Sequence, residues 1–287
     1  MPVARDDLRD FLQAETDCML VEIAAVDGSA PREAGAWMLV SPHRSFATIG
    51  GGQLEFMAID HARRALRQGQ AAEPLSIPLG PEIGQCCGGR VGLAFARVTP
   101  ALATRLIERC DREIAARPCV HLFGAGHVGN ALALALSLAP VRTILLDARA
   151  EELKAAHVPG VETRLTAVPE AVVRDAPAGS AFVVLTHDHA LDFLIAAEAL
   201  RRDDAAYVGM IGSKTKRATF RSWLSRETGH PELAERLVCP IGGAALNDKR
   251  PAVIAALAAA EILTAVLAPK ARSRAPVGRR SAFRSLD

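Results

Sequence analysis

"CVHLFGAGHVGNALALALSLAP", residues 119–140, decides the fold. Its first five residues are a short apolar run with the length of a buried strand. Three glycines follow, at 124, 126 and 129, in the spacing G-x-G-x-x-G. The stretch "GHVGNALALALSLA" then reads as a helix. Strand, glycine turn and helix in that order open a phosphate-binding βα unit. Gly124 allows the tight turn, Gly126 lets backbone approach a phosphate, and Gly129 lets the helix pack closely on the sheet. The helix start offers free N–H groups and a partial positive charge to an anion. Asp147 ends the next strand, where a carboxylate accepts from a ribose hydroxyl. The motif does not separate dinucleotides from other phosphorylated ligands.

Downstream the pattern repeats. "RTILLD", "AFVVLT" and "AAYVGMI" read as strands, and "ARAEELKAA", "HALDFLIAAEALRR" and "KTKRATFRSWLSR" as the helices after them. Repeated β-α units imply an α/β fold with a Rossmann-like, doubly wound parallel sheet over residues 117–267. The last helix, "RPAVIAALAAAEILTAVLA", carries proline near its first turn and is nearly all apolar. Burial against the sheet or in an oligomer interface accounts for that, and a homodimer is expected. Residues 268–287 hold six basic residues and one acidic one among Pro, Gly and Ser, and read as a flexible basic tail.

Upstream, residues 1–105 mix short strands with one or two helices, a smaller N-terminal α+β domain. "CMLVEIAAV", "EPLSIPL" and "VGLAFARV" read as strands, and "ATIGGGQLEFMAIDHARRALRQG" as strand, glycine turn and helix. The helix carries Leu54, Met57, Ala58, Ala62 and Ala65 at a 3.6-residue period.

Composition narrows the class. The chain has 287 residues, half of them hydrophobic, enough for about two domains with aliphatic cores. A net charge of +2 gives no case for nucleic acid binding. The polar start is not a signal peptide, and no apolar run reaches the ~18 residues of a membrane span. Six cysteines without a framework spacing fit reduced thiols and a cytoplasmic location.

Further candidate sites lie at strand ends. "VVLTHDHALD" places His187 and Asp188 at a ligand-binding edge, with Asp188 also suited to cap the following helix. "GMIGSKTKR" offers Ser213 and Lys214 as an anion cradle. In the first domain, Arg32 sits in the loop "DGSAPREAG", and Gly50, Gly51 and Gly52 lead into a helix start containing Glu55. Three glycines in a row are entropically costly, and they make sense where backbone amides approach a ligand. In "GQCCGG", Gln85, Cys86 and Cys87 precede Gly88 and Gly89. Such a loop presents sulfur and backbone N–H groups together, and a thiolate ligates a metal or carries a persulfide. Cys18, Cys110 and Cys119 lie in apolar patterns and read as structural, whereas Cys239 is open.

Seven stretches together resemble the XdhC/CoxI family, accessory proteins that mature molybdenum hydroxylases such as xanthine dehydrogenase. They are "GSAPREAGAWML", "TIGGGQLE", "LGPEIGQCCGG", "FGAGHVGNAL", "LDARAEEL", "LTHDHALD" and "YVGMIGSKTKR", in order from residue 28 to 217. The resemblance implies a chaperone without turnover of its own. It would bind the molybdenum cofactor (molybdopterin) as cargo and protect it while a cysteine desulfurase exchanges an oxo ligand for sulfur. It would then deliver the cofactor to apo-xanthine dehydrogenase. By the same resemblance Cys86 and Cys87 meet the molybdenum end. His127, directly after Gly126, is a further candidate contact at the glycine turn, which alternatively holds a separate nucleotide. No residue is assigned a catalytic role. The segment "PIGGAALNDKRP" departs from the family pattern.

Two other classes compete. An NAD(P)-dependent oxidoreductase would use the glycine turn and Asp147, with His187 or His189 relaying a proton, and leaves Cys86–Cys87 unexplained. A scaffold bridging desulfurase and dehydrogenase leaves the glycine loops unexplained.

Overall fold

The computed structural model describes residues 5–81, 88–243, 246 and 248–268. The chain divides into two compact units at Ala116–Arg117.

The first unit holds α1 (Arg5–Ala14), β1 (Met19–Asp27), β2 (Trp37–Val40), β3 (Ser45–Ala47), α2 (Gly52–Gln68), β4 (Leu75–Pro78), β5 (Arg90–Arg97) and α3 (Pro100–Ala115). Its sheet runs β3-β2-β1-β5-β4, with every neighbouring pair antiparallel. Side chains alternate between faces along a strand. Met19, Val21 and Ile23 of β1 therefore join Leu54, Ala58 and Ala62 of α2 on one face. Leu20, Trp37 and Leu39 join Leu8 and Phe11 of α1 and Leu106 of α3 on the other. Both faces are covered, so β1 and β2 read as nearly unbroken apolar runs. Cys18 and Cys110 lie in the second of these cores. Burial, then the charges of Asp17 and Glu15, push the Cys18 thiol up to about 11, which makes it inert. Thr99 caps α3, accepting from the Leu102 N–H, and Pro100 takes the first turn.

The second unit alternates strand and helix: β6 (Cys119–Phe123), α4 (His127–Ser137), β7 (Arg142–Asp147), α5 (Ala150–Ala155), β8 (Glu162–Leu165), α6 (Pro169–Asp175), β9 (Ala181–Val184), α7 (His189–Arg201), β10 (Tyr207–Met210) and α8 (Lys214–Thr228). A 3-10 turn at Pro231–Arg236 and α9 (Pro251–Leu267) complete it. The sheet is parallel in the order β10-β9-β6-β7-β8. The chain runs outward from β6 to β8 and then returns to place β9 beside β6. That reversal makes a Rossmann sheet with its switch point between β6 and β9. Phe123, Leu146, Phe182 and Val184 pack under α6, α7 and α8 on one face. Leu122, Leu145 and Val183 pack under α4 and α9 on the other. The apolar composition of α9 is thus partly explained, because Ala255, Ala258, Ala259 and Ile262 are buried within the unit.

Candidate functional site

The three glycines of the β6–α4 turn are not equivalent. Gly124 has φ +123°, and a Cβ there would lie 2.6 Å from the Leu185 carbonyl oxygen. At Gly129 a Cβ would fall 1.9 Å from the Gly124 oxygen. Both positions demand glycine to fold. Gly126 has φ −72°, which any residue adopts, and a Cβ there meets nothing within 4 Å. Its open side faces outward from a helix start that has no side-chain cap. The uncapped amides of the first α4 turn are available to an anion. His127 is the exposed first residue of that helix. Asn130 donates from Nδ2 to the Ala125 carbonyl at 2.8 Å and steadies the turn.

Beside the turn, a cleft opens at the carboxyl ends of β6, β7, β8 and β9. Its walls are apolar, from Phe123, Leu146, Pro169, Leu191 and Ile195. Its polar groups are Asp147, Arg149, Thr166, Thr186 and His187. An apolar slot with a few polar groups at its margin suits a flat heterocycle. Asp147 is buried, and its carboxylate is fully engaged. Oδ2 accepts from the Ala125 N–H at 2.8 Å and Arg149 Nη2 at 2.9 Å. Oδ1 accepts from the Arg149 N–H and Nε, both at 3.0 Å. Burial alone would push this carboxyl up, but the hydrogen bonds from Arg149 and Ala125 outweigh it and hold it below the usual carboxylate range.

His187 is exposed at the cleft. Asp188 caps α7, accepting from the Ala190 N–H at 2.8 Å and the Leu191 N–H at 3.3 Å. Ser213 likewise caps α8, accepting from the Lys216 N–H at 3.2 Å. Lys214 is exposed at the start of α8.

In the first unit, the glycine-rich loops meet at one end of the sheet. A Cβ on Gly50 would lie 2.9 Å from Pro31 and 3.3 Å from Arg32. One on Gly89 would lie 2.2 Å from the Ser29 oxygen. Gly88 and Gly89 are fastened to Leu79 by two backbone hydrogen bonds, of 2.9 and 2.8 Å. Gln85, Cys86 and Cys87 lie outside the described residues. The amides of Gly50 and Gly51 do not stand open as the run of glycines suggests. Glu55 reaches back to accept from the Ile49 and Gly51 N–H groups, both at 3.1 Å, and from the Thr48 hydroxyl. Gly50 N–H donates to Thr48 Oγ1. A carboxylate of the chain itself thus fills this nest of amides, and all three glycines take positive φ to make it.

Residues 120–262 match the XdhC Rossmann domain, and residues 11–76 match the XdhC and CoxI family. This chain belongs to the XdhC and CoxI family. The fold of this XdhC/CoxI chain is shared by a solved Bacillus halodurans protein named as a xanthine dehydrogenase. The two are 17% identical with a TM-score of 0.76, over 95% of this chain and 98% of the other. At that identity the likeness is one of fold. No curated protein matches the chain.

One feature of this XdhC/CoxI chain escapes a linear reading. Asp192, in the first turn of α7, is completely buried. Its Oδ2 accepts from Lys216 Nζ at 2.5 Å, and its Oδ1 accepts from the Thr186 hydroxyl at 2.7 Å. Lys216 also donates to the Ile211 carbonyl at 3.0 Å. The ammonium drawn into the β9–β10 edge is therefore Lys216, not Lys214. Its signal was Gly212, where a Cβ would lie 2.6 Å from Lys216 Cδ. Thr186 is thereby held at the cleft by its bonds to the carboxylate of a buried ion pair. Among the described residues no group of three His, Cys, Asp or Glu is placed to hold a metal ion, and no helix is long and apolar enough to cross a membrane.

Proposed function

We propose that this protein is a molybdenum cofactor carrier in the maturation of xanthine dehydrogenase. Membership of the XdhC and CoxI family supports a maturation role. The observation that carries the binding half of the proposal is the open face of Gly126 beside an apolar slot. The free amides of α4 take a phosphate, and the slot takes the flat ring attached to it. Molybdopterin is a phosphorylated pterin and has both parts. In the first unit, Gly50 lies against Pro31 and Arg32, and Gly88 and Gly89, which follow Cys86 and Cys87 directly in the sequence, are tied to Leu79. Those thiols are proposed to meet the molybdenum end of the cargo, where a cysteine desulfurase supplies sulfur. The carrier acts as a homodimer, reaches its client in the cytoplasm and has no turnover of its own.

The test is transfer. Native mass spectrometry of the purified chain should show bound molybdopterin. The loaded protein should activate apo-xanthine dehydrogenase beyond what free cofactor achieves, and more so with a desulfurase and a sulfur source. Cys86→Ala and Cys87→Ala should lower retention in a folded chain. Equal activation by free and carried cofactor would sink the carrier. Asp147 at the end of β7 favours one second reading, an NAD(P)-dependent oxidoreductase. Steady NADH oxidation abolished by His187→Ala would establish that reading instead.

A further inference from the structure

Asp147 closes β7 at the margin of the cleft and is buried. A carboxylate has about four lone-pair sites. Here the Ala125 N–H fills one and Arg149 fills three. Two of those three come from the guanidinium, whose Nε–H and Nη2–H lie side by side in a fork. The side chains differ sharply in exposure: Asp147 is 6% exposed and Arg149 44%. The acceptor is thus fixed, and the donor can swing into solvent. Arg149 loses little by leaving, since its Nη1 also holds Glu152 at the surface at 3.1 Å.

We propose that Asp147 reads a two-donor edge on a phosphorylated heterocyclic ligand, and that Arg149 is an internal placeholder which this edge displaces. The ligand's phosphate sits at the Gly126 turn, its ring lies in the slot between Phe123 and Leu191, and its donor pair replaces the guanidinium on Asp147. Two sources supply that chemistry. One is a pterin, whose ring N–H beside an exocyclic amino group repeats the guanidinium fork atom for atom. The other is an adenine nucleotide, whose ribose diol offers two O–H donors. The pterin source rests on the carrier reading, and the diol source does not.

Calorimetry on the full chain, freed of cargo, separates these cases with neopterin monophosphate and ADP-ribose as probes. The wild type should bind one of the two. Arg149→Ala should bind the same probe about fivefold tighter, the scale of one partly exposed ion pair removed from competition. Asp147→Asn should bind it at least tenfold more weakly; its amide oxygen still accepts from Ala125, and an unchanged melting temperature checks that. Unchanged or weaker binding by Arg149→Ala overturns the placeholder, as does binding of neither probe by that variant. Molybdopterin retention, measured separately, keeps the two proposals apart. A chain that retains molybdopterin without a gain in Arg149→Ala loses only the placeholder. One that retains none, yet binds ADP-ribose more tightly as Arg149→Ala, loses only the carrier reading.

Discussion

A single Cβ separates two roles among the glycines of the β6–α4 turn. At Gly129 it collides with backbone, which cannot retreat, whereas at Gly126 it projects into open space. Gly129→Ala should therefore destabilise the fold by about 2 kcal/mol or more, the range of overpacking against a rigid neighbour. Gly126→Val should melt within a few degrees of wild type and lose the phosphorylated ligand; denaturation and calorimetry on the two variants test the division. His121 makes a second prediction at this scale. It stacks on Phe182 at 5.3 Å in mid-sheet, and its Nδ1 has no hydrogen-bond partner among the described residues. Burial pushes its imidazole down to about 4, against the pull of the Ala181 backbone. In the unfolded chain it titrates near ~6.5. Between those values only the unfolded state holds the proton. Stability is then full above about pH 6.5 and is lost as pH falls toward 4, by about 2 kcal/mol at pH 5. His121→Phe should remove that loss, and an identical fall in melting temperature for both proteins from pH 7 to pH 5 would refute it.

Among the elements, the tie between α7 and α8 is the one most exposed to a single change. Lys216→Met leaves Asp192 buried and uncompensated, and should cost about 3–5 kcal/mol. Adding Asp192→Asn should recover most of it, because the charge and its need for a partner leave together. Urea denaturation at neutral pH measures both. The elements were unequally legible. β6, β9 and β10 stand out because both sheet faces are covered and every residue of each is buried, and β7 is buried from Thr143 onward. β8 does not, since Glu162 and Arg164 are polar positions of an edge strand, with Glu162 paired to Arg142 and Arg164. α1 buries only Leu8 and Phe11 in ten residues, too few for its period to stand out. α3 has a cap and a proline at its start but shares its apolar stripe with long charged side chains.

At the scale of the whole chain, each unit has its own cores. The first is built around β1 and α2 on one face and α1 and α3 on the other, the second around β6 and β9. Residues 5–116 and 117–268, expressed separately, should each show a cooperative thermal transition with native-like far-UV circular dichroism. A non-cooperative melt of either half would show that its core is incomplete.

Local order was written in the sequence. The alternation of strand and helix, the glycine turn and the caps at Thr99, Asp188 and Ser213 depend on residues within a few positions of one another. Backbone preference and hydrophobic period act over that range. Occupancy of the site's acceptors was decided only in three dimensions. Asp147 meets the amide of Ala125 across 22 residues, and Asp192 meets Lys216 across 24. These meetings follow from the order of strands in the sheet. A carboxylate in a sequence is equally ready for a ligand, a backbone amide or a neighbouring arginine, and only the folded chain shows which donor arrives.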